Sequence, residues 1–179
     1  MDTVLKAQRD DEVFDVVDDR DAVIGQATRK EVHARRLWHR AVHALVVGPD
    51  GRVFLQKRSM LKDTSPGCWD SSCSGHVDSG ESYETAVVRE LAEEIGLTVI
   101  PEHGLRALFK VEARKETGWE FVWVYRLESE GPFTLHPAEV ADGAWFTVDE
   151  IARGIAERPD EFTRAFKFIW KGRAGLVSR

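Results

Sequence analysis

The sequence predicts an α/β sandwich built around a mixed β-sheet. Three observations predict it. Short runs rich in apolar, β-branched and aromatic residues recur from Phe14 to Phe146. Helical patterns alternate with those runs rather than forming a block of their own. One segment, Ser82 to Ile95, carries both the periodicity and the end signals of a strong helix. The 179 residues suffice for one proper core and are too few for two.

Taken in order, Phe14 to Val17 and Val23 to Ile24 read as short strands about an acidic turn, Asp18-Asp19-Arg20-Asp21. Thr28 is suited to N-cap a short helix over Arg29 to Leu37. Ala41 to Val47 is an apolar run interrupted by His43, which predicts a buried strand. Pro49-Asp50-Gly51 turns that strand into a second hairpin arm, Val53 to Gln56. Lys57 to Gly67 is polar and irregular, and Trp69 to Val77 reads as a strand running into the turn Asp78-Ser79-Gly80. The helix over Ser82 to Ile95 is stopped by Gly96. Leu105 to Val111 and Trp119 to Leu127 are strands, and Ala144 to Phe146 is a shorter one. Helices over Val148 to Ala156 and Asp160 to Trp170 close the chain. No repeat, low-complexity tract or linker interrupts it, so residues 1–179 are expected to form a single domain, with a short N-terminal extension over about 12–37.

A net charge of −6 argues against coating a nucleic-acid polymer. It is compatible with a small phosphorylated ligand, because bound cations can reverse the charge of a local site. The two cysteines, Cys68 and Cys73, form no Cys-x-x-Cys pair, and no histidine–cysteine group has zinc-ligand spacing. The stretch Met1 to Glu12 is polar and unlike a secretory signal, and no apolar run reaches the length of a membrane span. The expectation is a cytoplasmic protein with no membrane partner. The sequence leaves a homodimer open.

The chemistry concentrates in Gly75 to Leu97. Glu90, Glu93 and Glu94 are spaced i, i+3, i+4, which at roughly 100° per residue sets three carboxylates on one helix face. Val88, Leu91, Ala92 and Ile95 would anchor the opposite arc, with Arg89 on the flank able to hold a carboxylate by a forked pair of hydrogen bonds. Like charges so placed are unfavourable by a few tenths of a kcal/mol, roughly, unless a cation sits among them. Hard oxygen ligands suit Mg²⁺ or Mn²⁺, which can bridge phosphate oxygens and acidify a bound water. Most acidic helix faces are merely solvated. Here, however, the chain matches Gly-x5-Glu-x7-Arg-Glu-apolar-x-Glu-Glu-x-Gly-apolar at every fixed position, an accident on the order of one in ten million from average residue frequencies.

That pattern resembles the signature of the Nudix hydrolases, and the resemblance extends over most of the chain. It implies an α/β/α sandwich around a mixed sheet, with the signature as a loop–helix–loop. It implies hydrolysis of a phosphoanhydride bond in a nucleoside diphosphate derivative or related organic diphosphate, with Mg²⁺ as cofactor and Mn²⁺ as substitute. The metal ligands implied are Glu90, Glu93, Glu94 and the backbone carbonyl of Gly75. Arg89 would orient Glu90, and Glu81 would support the loop. The implied chemistry is attack of metal-activated water on phosphorus, with Glu94 as first choice of base and Glu139 as the candidate for a base on a distant loop.

The flanks narrow the resemblance. His33-Ala-Arg-Arg-Leu-Trp-His39-Arg-Ala-Val-His43, the Lys57-Arg58-x3-Lys62-Asp63-x2-Pro66-Gly67-x-Trp69-Asp70 stretch and Gly75-His76 look like the subgroup similar to isopentenyl-diphosphate isomerases. In those isomerases, residues matching Arg58 and Lys62 grip the substrate diphosphate, and residues matching His39 and His76 hold a metal. In a hydrolase, His39 is expected beside the substrate and His76 as support for the site. Isomerisation is the rival reading. Against it, the isomerase cysteine falls on Ser74, a metal-binding glutamate falls on Gly118 two residues before Glu120, and the isomerases carry a degraded signature where this chain keeps every acid. A third reading, a non-catalytic sensor of a diphosphate ligand, conflicts with the retained acids. His43 is expected as a hydrogen-bonded core histidine, Cys73 as a small buried thiol, and the aromatic residues from Trp119 to Tyr125 as core packing.

Overall fold

The computed structural model describes residues 8–172; residues 1–7, part of the polar N-terminal stretch, and 173–179 lie outside it. The N-terminal hairpin pairs β1 (Val13–Val17) with β2 (Val23–Thr28), which runs four residues beyond the expected end. Asp18 makes the turn: its Oδ1 accepts from the amides of Arg20 and Ala22, each at 2.9 Å. Asp21 follows in the left-handed region, at φ 62°. Thr28 caps α1 (Arg29–Arg35) in a reciprocal box with Glu31. The helix ends before Leu37 because Arg36 turns left-handed, at φ 55°.

At the turn, the Asp21 carboxylate accepts from Arg40 Nε at 2.6 Å, Lys110 Nζ at 2.7 Å and the Tyr83 hydroxyl at 2.8 Å. Burial alone would raise its pKa, but those three donors outweigh burial and lower it. The group ties the hairpin to three other elements. An Asp21→Ala variant leaves two half-buried cations unpaired and should lose about 2–4 kcal/mol in urea unfolding. A loss under 0.5 kcal/mol, roughly the effect of an ordinary surface substitution, would show the network to be ornamental.

The main sheet has seven strands and is mixed. At its centre, β3 (His39–Val47) runs parallel to β8 (Glu120–Glu128), and β7 (Arg106–Val111) lies antiparallel beyond β8. β8 starts one residue later than expected because Trp119 sits at φ 72°. On the other side, β3 pairs with β4 (Val53–Arg58) only near the hairpin, at Val46 and Val47. β9 (Val140–Phe146) covers the far edge of β4 and is longer than the expected three residues.

Between β3 and β4 the sheet splits. β5 (Trp69–Asp70) pairs with β4, and β6 (Cys73–His76) pairs with β3. The expected single strand Trp69 to Val77 is therefore two, broken at Ser71 and Ser72. Both serines are buried. The Ser72 hydroxyl accepts from the Val46 amide at 2.7 Å and donates to the Phe54 carbonyl, standing in for the backbone ladder where the strands part.

β3 buries both faces. Val42, Ala44 and Val46 pack with Ala86, Val87, Leu91 and Ile95 of α2 (Tyr83–Ile95). Ala41 and Leu45 point the other way, toward Ile151 of α3 (Val148–Glu157) and Phe166 and Ile169 of α4 (Arg164–Ile169). Helices thus cover both faces, as an α/β/α sandwich requires. The aromatic strand packs as expected, with Phe121 and Tyr125 buried. The expected helix Asp160 to Trp170 is instead a 3-10 turn, Pro159–Glu161, followed by α4. Thr163 divides them: its amide donates to the Trp69 carbonyl at 2.9 Å, and its hydroxyl accepts from Phe166 N at 3.1 Å, starting a new helix. Among the described residues, no helix is long and apolar enough to cross a membrane.

Candidate active site: carboxylates over a split sheet

α2 starts at Ser82, whose hydroxyl accepts from Thr85 N at 3.1 Å, and stops at Gly96, at φ 67°. Its buried arc is Ala86, Val87, Leu91, Glu94 and Ile95. This corrects the expected arc: Val88 is half-buried, Ala92 is exposed, and Glu94 lies among the core residues at 1% exposure. A buried carboxylate is tolerated there because the split sheet beneath offers donors. Glu94 Oε2 accepts from the Ser74 amide at 2.9 Å and from Gln56 Nε2 at 2.9 Å. Its other oxygen, Oε1, faces Lys62 Nζ at 3.7 Å. The three signature acids consequently sit at three depths: Glu94 is buried, Glu90 is half-buried, and the Glu93 side chain is 60% exposed at the cavity mouth.

Glu90 lies directly on Gly75 of β6. A Cβ there would fall 2.0 Å from the Glu90 carboxyl carbon and Oε1, so only glycine lets helix and strand approach this closely. Arg89 fastens the group from the side. It spends its forked pair on Glu81, at 3.1 and 2.9 Å, and gives single bonds to Glu90 Oε1 at 2.8 Å, Glu93 Oε2 at 3.2 Å and the His76 carbonyl at 3.0 Å. Glu81 also accepts from the Asp78 amide at 3.1 Å. Asp15, which the sequence does not single out, holds the same loop from β1 by accepting from the Ser79 hydroxyl at 2.7 Å and the Gly80 amide at 3.0 Å.

Burial pushes the Glu90 carboxyl up to about 8, with Glu94 adding to the rise and Arg89 opposing it. Burial raises Glu94 as well, against Lys62. The buried Glu94, the half-buried Glu90 beside it, a glycine cradle and a Glu94 Oε1 that accepts no hydrogen bond fit a hard divalent cation such as Mg²⁺ or Mn²⁺. A stability prediction follows, with its sign fixed by linkage. The folded pKa of Glu90 exceeds the unfolded value of about 4.3, so its contribution is full below that pH and is lost as pH rises through about 8. Metal-free protein should lose stability over this window, and Glu90→Gln should flatten the slope. Saturating Mg²⁺ should raise Tm by about 5–10 °C, more at pH 8 than at pH 6. Differential scanning fluorimetry in EDTA and in Mg²⁺ checks both; a metal-independent melting curve contradicts them.

The end of β4 brings Arg58, and the polar loop after it Lys62, to the same cavity, which occupies about 910 Å³. Arg58 donates to the Thr64 carbonyl at 3.1 Å and to Asp70 Oδ2 at 3.4 Å. Lys62 is in close contact with Glu139, which also lines the cavity. His39 does not. It is fully buried, its Nδ1 on the Leu37 carbonyl at 2.9 Å, so the expected place beside the substrate is corrected to one behind the wall.

His39 belongs to a second cluster. Ligand atoms of His33, His39 and His76 lie within 4.8 Å of one another. Glu120 Oε1 stands 3.1 Å from His76 Nε2 and 3.4 Å from His39 Nε2. Burial and its two histidine neighbours lower the His33 pKa to about 4, and burial lowers His76 too. Burial would raise Glu120, but the two histidine contacts outweigh it and hold the carboxyl well below its usual range. Three imidazoles beside a carboxylate could hold a transition metal. The sequence gives no periodic signal for His33; the packing of α1 against the β1–β2 hairpin brings it in. Gln56 offered a clue, as the polar residue ending the apolar arm Val53 to Leu55. His43 is buried, its Nδ1 2.6 Å from the Ser71 hydroxyl, and burial drives the Cys73 thiol far above its normal pKa, leaving it inert.

Comparison with known proteins agrees with this architecture. The family model of the NUDIX domain matches residues 37–166. An uncharacterized Nudix hydrolase of Yersinia pestis is 38% identical over 154 residues, 85% of this chain and 80% of the relative. Another, from Clostridium acetobutylicum, is 34% identical over 180 residues, 95% of this chain and 87% of the relative. Among solved structures, DR0079 from Deinococcus radiodurans superposes with a TM-score of 0.72 at 30% identity, covering 82% of this chain and 90% of its own. With the family match spanning well over half of its length, the chain belongs to the Nudix hydrolases.

Proposed function

We propose that the chain hydrolyses a phosphoanhydride bond in a nucleoside diphosphate derivative or related organic diphosphate, with Mg²⁺ or Mn²⁺ held by Glu90, Glu93, Glu94 and the Gly75 carbonyl. One observation carries the reading: the carboxylates of Glu90, Glu93 and Glu94 and the cations Arg58 and Lys62 face a single cavity large enough for such a substrate. A divalent cation bound there would stabilise charge on the anhydride oxygens and acidify a water. The protein's own groups divide the remaining work. Arg89 fixes Glu90 against Gly75; Ser74 and Gln56 fix Glu94 so that Oε1 points at the cavity; Arg58 orients a phosphate through its planar guanidinium. Glu94 is the first choice to accept the water's proton, and Glu139 the second. A screen of nucleoside triphosphates, nucleotide sugars, dinucleotides, coenzyme A and prenyl diphosphates with Mg²⁺ tests this. Release of phosphate or a monophosphate from at least one class is expected, and none from any class counts against it.

A second reading, isomerisation of a five-carbon diphosphate, is favoured by the His33, His39, His76 and Glu120 cluster. It lacks a thiol at Ser74. Absence of solvent deuterium exchange into isopentenyl diphosphate, with metal added, rejects it.

A further inference from the structure

We propose that the Lys62 ammonium and a metal ion compete for Glu94 Oε1, which couples metal loading to release of the ammonium toward substrate phosphate. The proposal rests on the carboxylate site described above. Lys62 is 8% exposed although its side chain carries a charge, and both of its carboxylate partners belong to that site. The Glu139 contact is the closer; the Glu94 Oε1 approach, at 3.7 Å, is an ion pair without a hydrogen bond. Glu94 Oε2 is already filled by Ser74 and Gln56, so Oε1 is the oxygen left for a cation, and the ammonium stands in front of it.

The loop is built to keep the ammonium there in one state and release it in another. Its base is pinned by the Ser59 amide donating to the Glu139 carbonyl at 2.9 Å and by the Arg29–Asp63 ion pair at 2.8 Å. Between those anchors, Met60 and Leu61 are exposed, so the loop that carries Lys62 has little apolar packing of its own to hold its backbone. Four rotatable bonds let the ammonium swing from Glu94 into the cavity without moving either anchor. Two like charges cannot share Glu94 Oε1 at low local dielectric, so metal and ammonium exclude each other there. The displaced ammonium then has a ready anion in a bound diphosphate. Lys62 acts twice with opposite signs, opposing metal and favouring substrate.

Mn²⁺ binding to the full chain, followed by the electron paramagnetic resonance signal of free Mn²⁺ at about pH 8.5, separates the possibilities, since protons compete weakly there. K62M should bind Mn²⁺ at least about tenfold more tightly than wild type, and K62R, which keeps the charge, should match wild type. With Mn²⁺ saturating, methylene diphosphonate should bind K62M about tenfold more weakly. A merely structural lysine would weaken both affinities together. Equal or weaker Mn²⁺ binding by K62M overturns the proposal while leaving the carboxylate site standing. Absence of Mn²⁺ binding by wild type overturns the site itself and this proposal with it. Should methionine prevent folding, K62Q makes the same comparison.

Discussion

Glu94→Gln should reduce hydrolysis by about three orders of magnitude, the scale of losing one preorganised electrostatic group, while leaving the fold intact. The amide oxygen of glutamine can still accept from Ser74 N and Gln56 Nε2, so the bonds that seat the side chain survive. What is lost is the charge on the oxygen that faces the cavity. Glu93→Gln should be milder, because Glu93 is largely exposed and its charge is partly met by Arg89. The double variant should be inactive. Steady-state rates with excess Mg²⁺, alongside circular dichroism to confirm folding, distinguish lost chemistry from lost structure. Full activity in the double variant would move the chemistry elsewhere.

Gly75→Ala is the second large effect. The added methyl would overlap the Glu90 carboxylate at 2.0 Å, and neither partner can yield easily. β6 is held between β3 and α2, and Glu90 is tied by Arg89. Relief requires Glu90 to swing off the strand or α2 to lift from the sheet. Either should cost about 1–3 kcal/mol of stability and remove the carboxylate from its place over the backbone. Mn²⁺ affinity and turnover should fall together, by about 10²-fold or more. Wild-type affinity in this variant would mean that the close approach of Glu90 to Gly75 has no role in metal binding.

The sequence made the helix and its acids legible because both obey local rules. Ser82 and Gly96 mark the ends of α2, and Glu90, Glu93 and Glu94 recur at helical spacing. The depth of each acid was not legible. Periodicity assigns a charged residue to the solvent face, whereas Glu94 sits in the core arc because amides from a split sheet pay for its desolvation. The split itself falls at Ser71 and Ser72, where the Ser72 hydroxyl substitutes for a ladder; in sequence, that stretch simply resembles a strand. Elsewhere, left-handed residues other than glycine set boundaries that apolar patterns do not reveal, Arg36 after α1 and Trp119 before β8. His33 reaches its cluster only through the docking of a short helix, and His39 lies behind the cavity lining because the rings of Phe14, His33 and His76 cover it.

The fold and the family account for a hydrolase; the metal-binding role of the carboxylate stripe is the claim on which the proposed chemistry depends. Crystals soaked in Mn²⁺ at neutral pH and measured at the manganese edge address it directly. The expected result is an anomalous peak within coordination distance, about 2.0–2.3 Å, of Glu90 and Glu94 oxygens beside Gly75. No peak there in a formed cavity, or a peak confined to His33, His39 and His76, would contradict it.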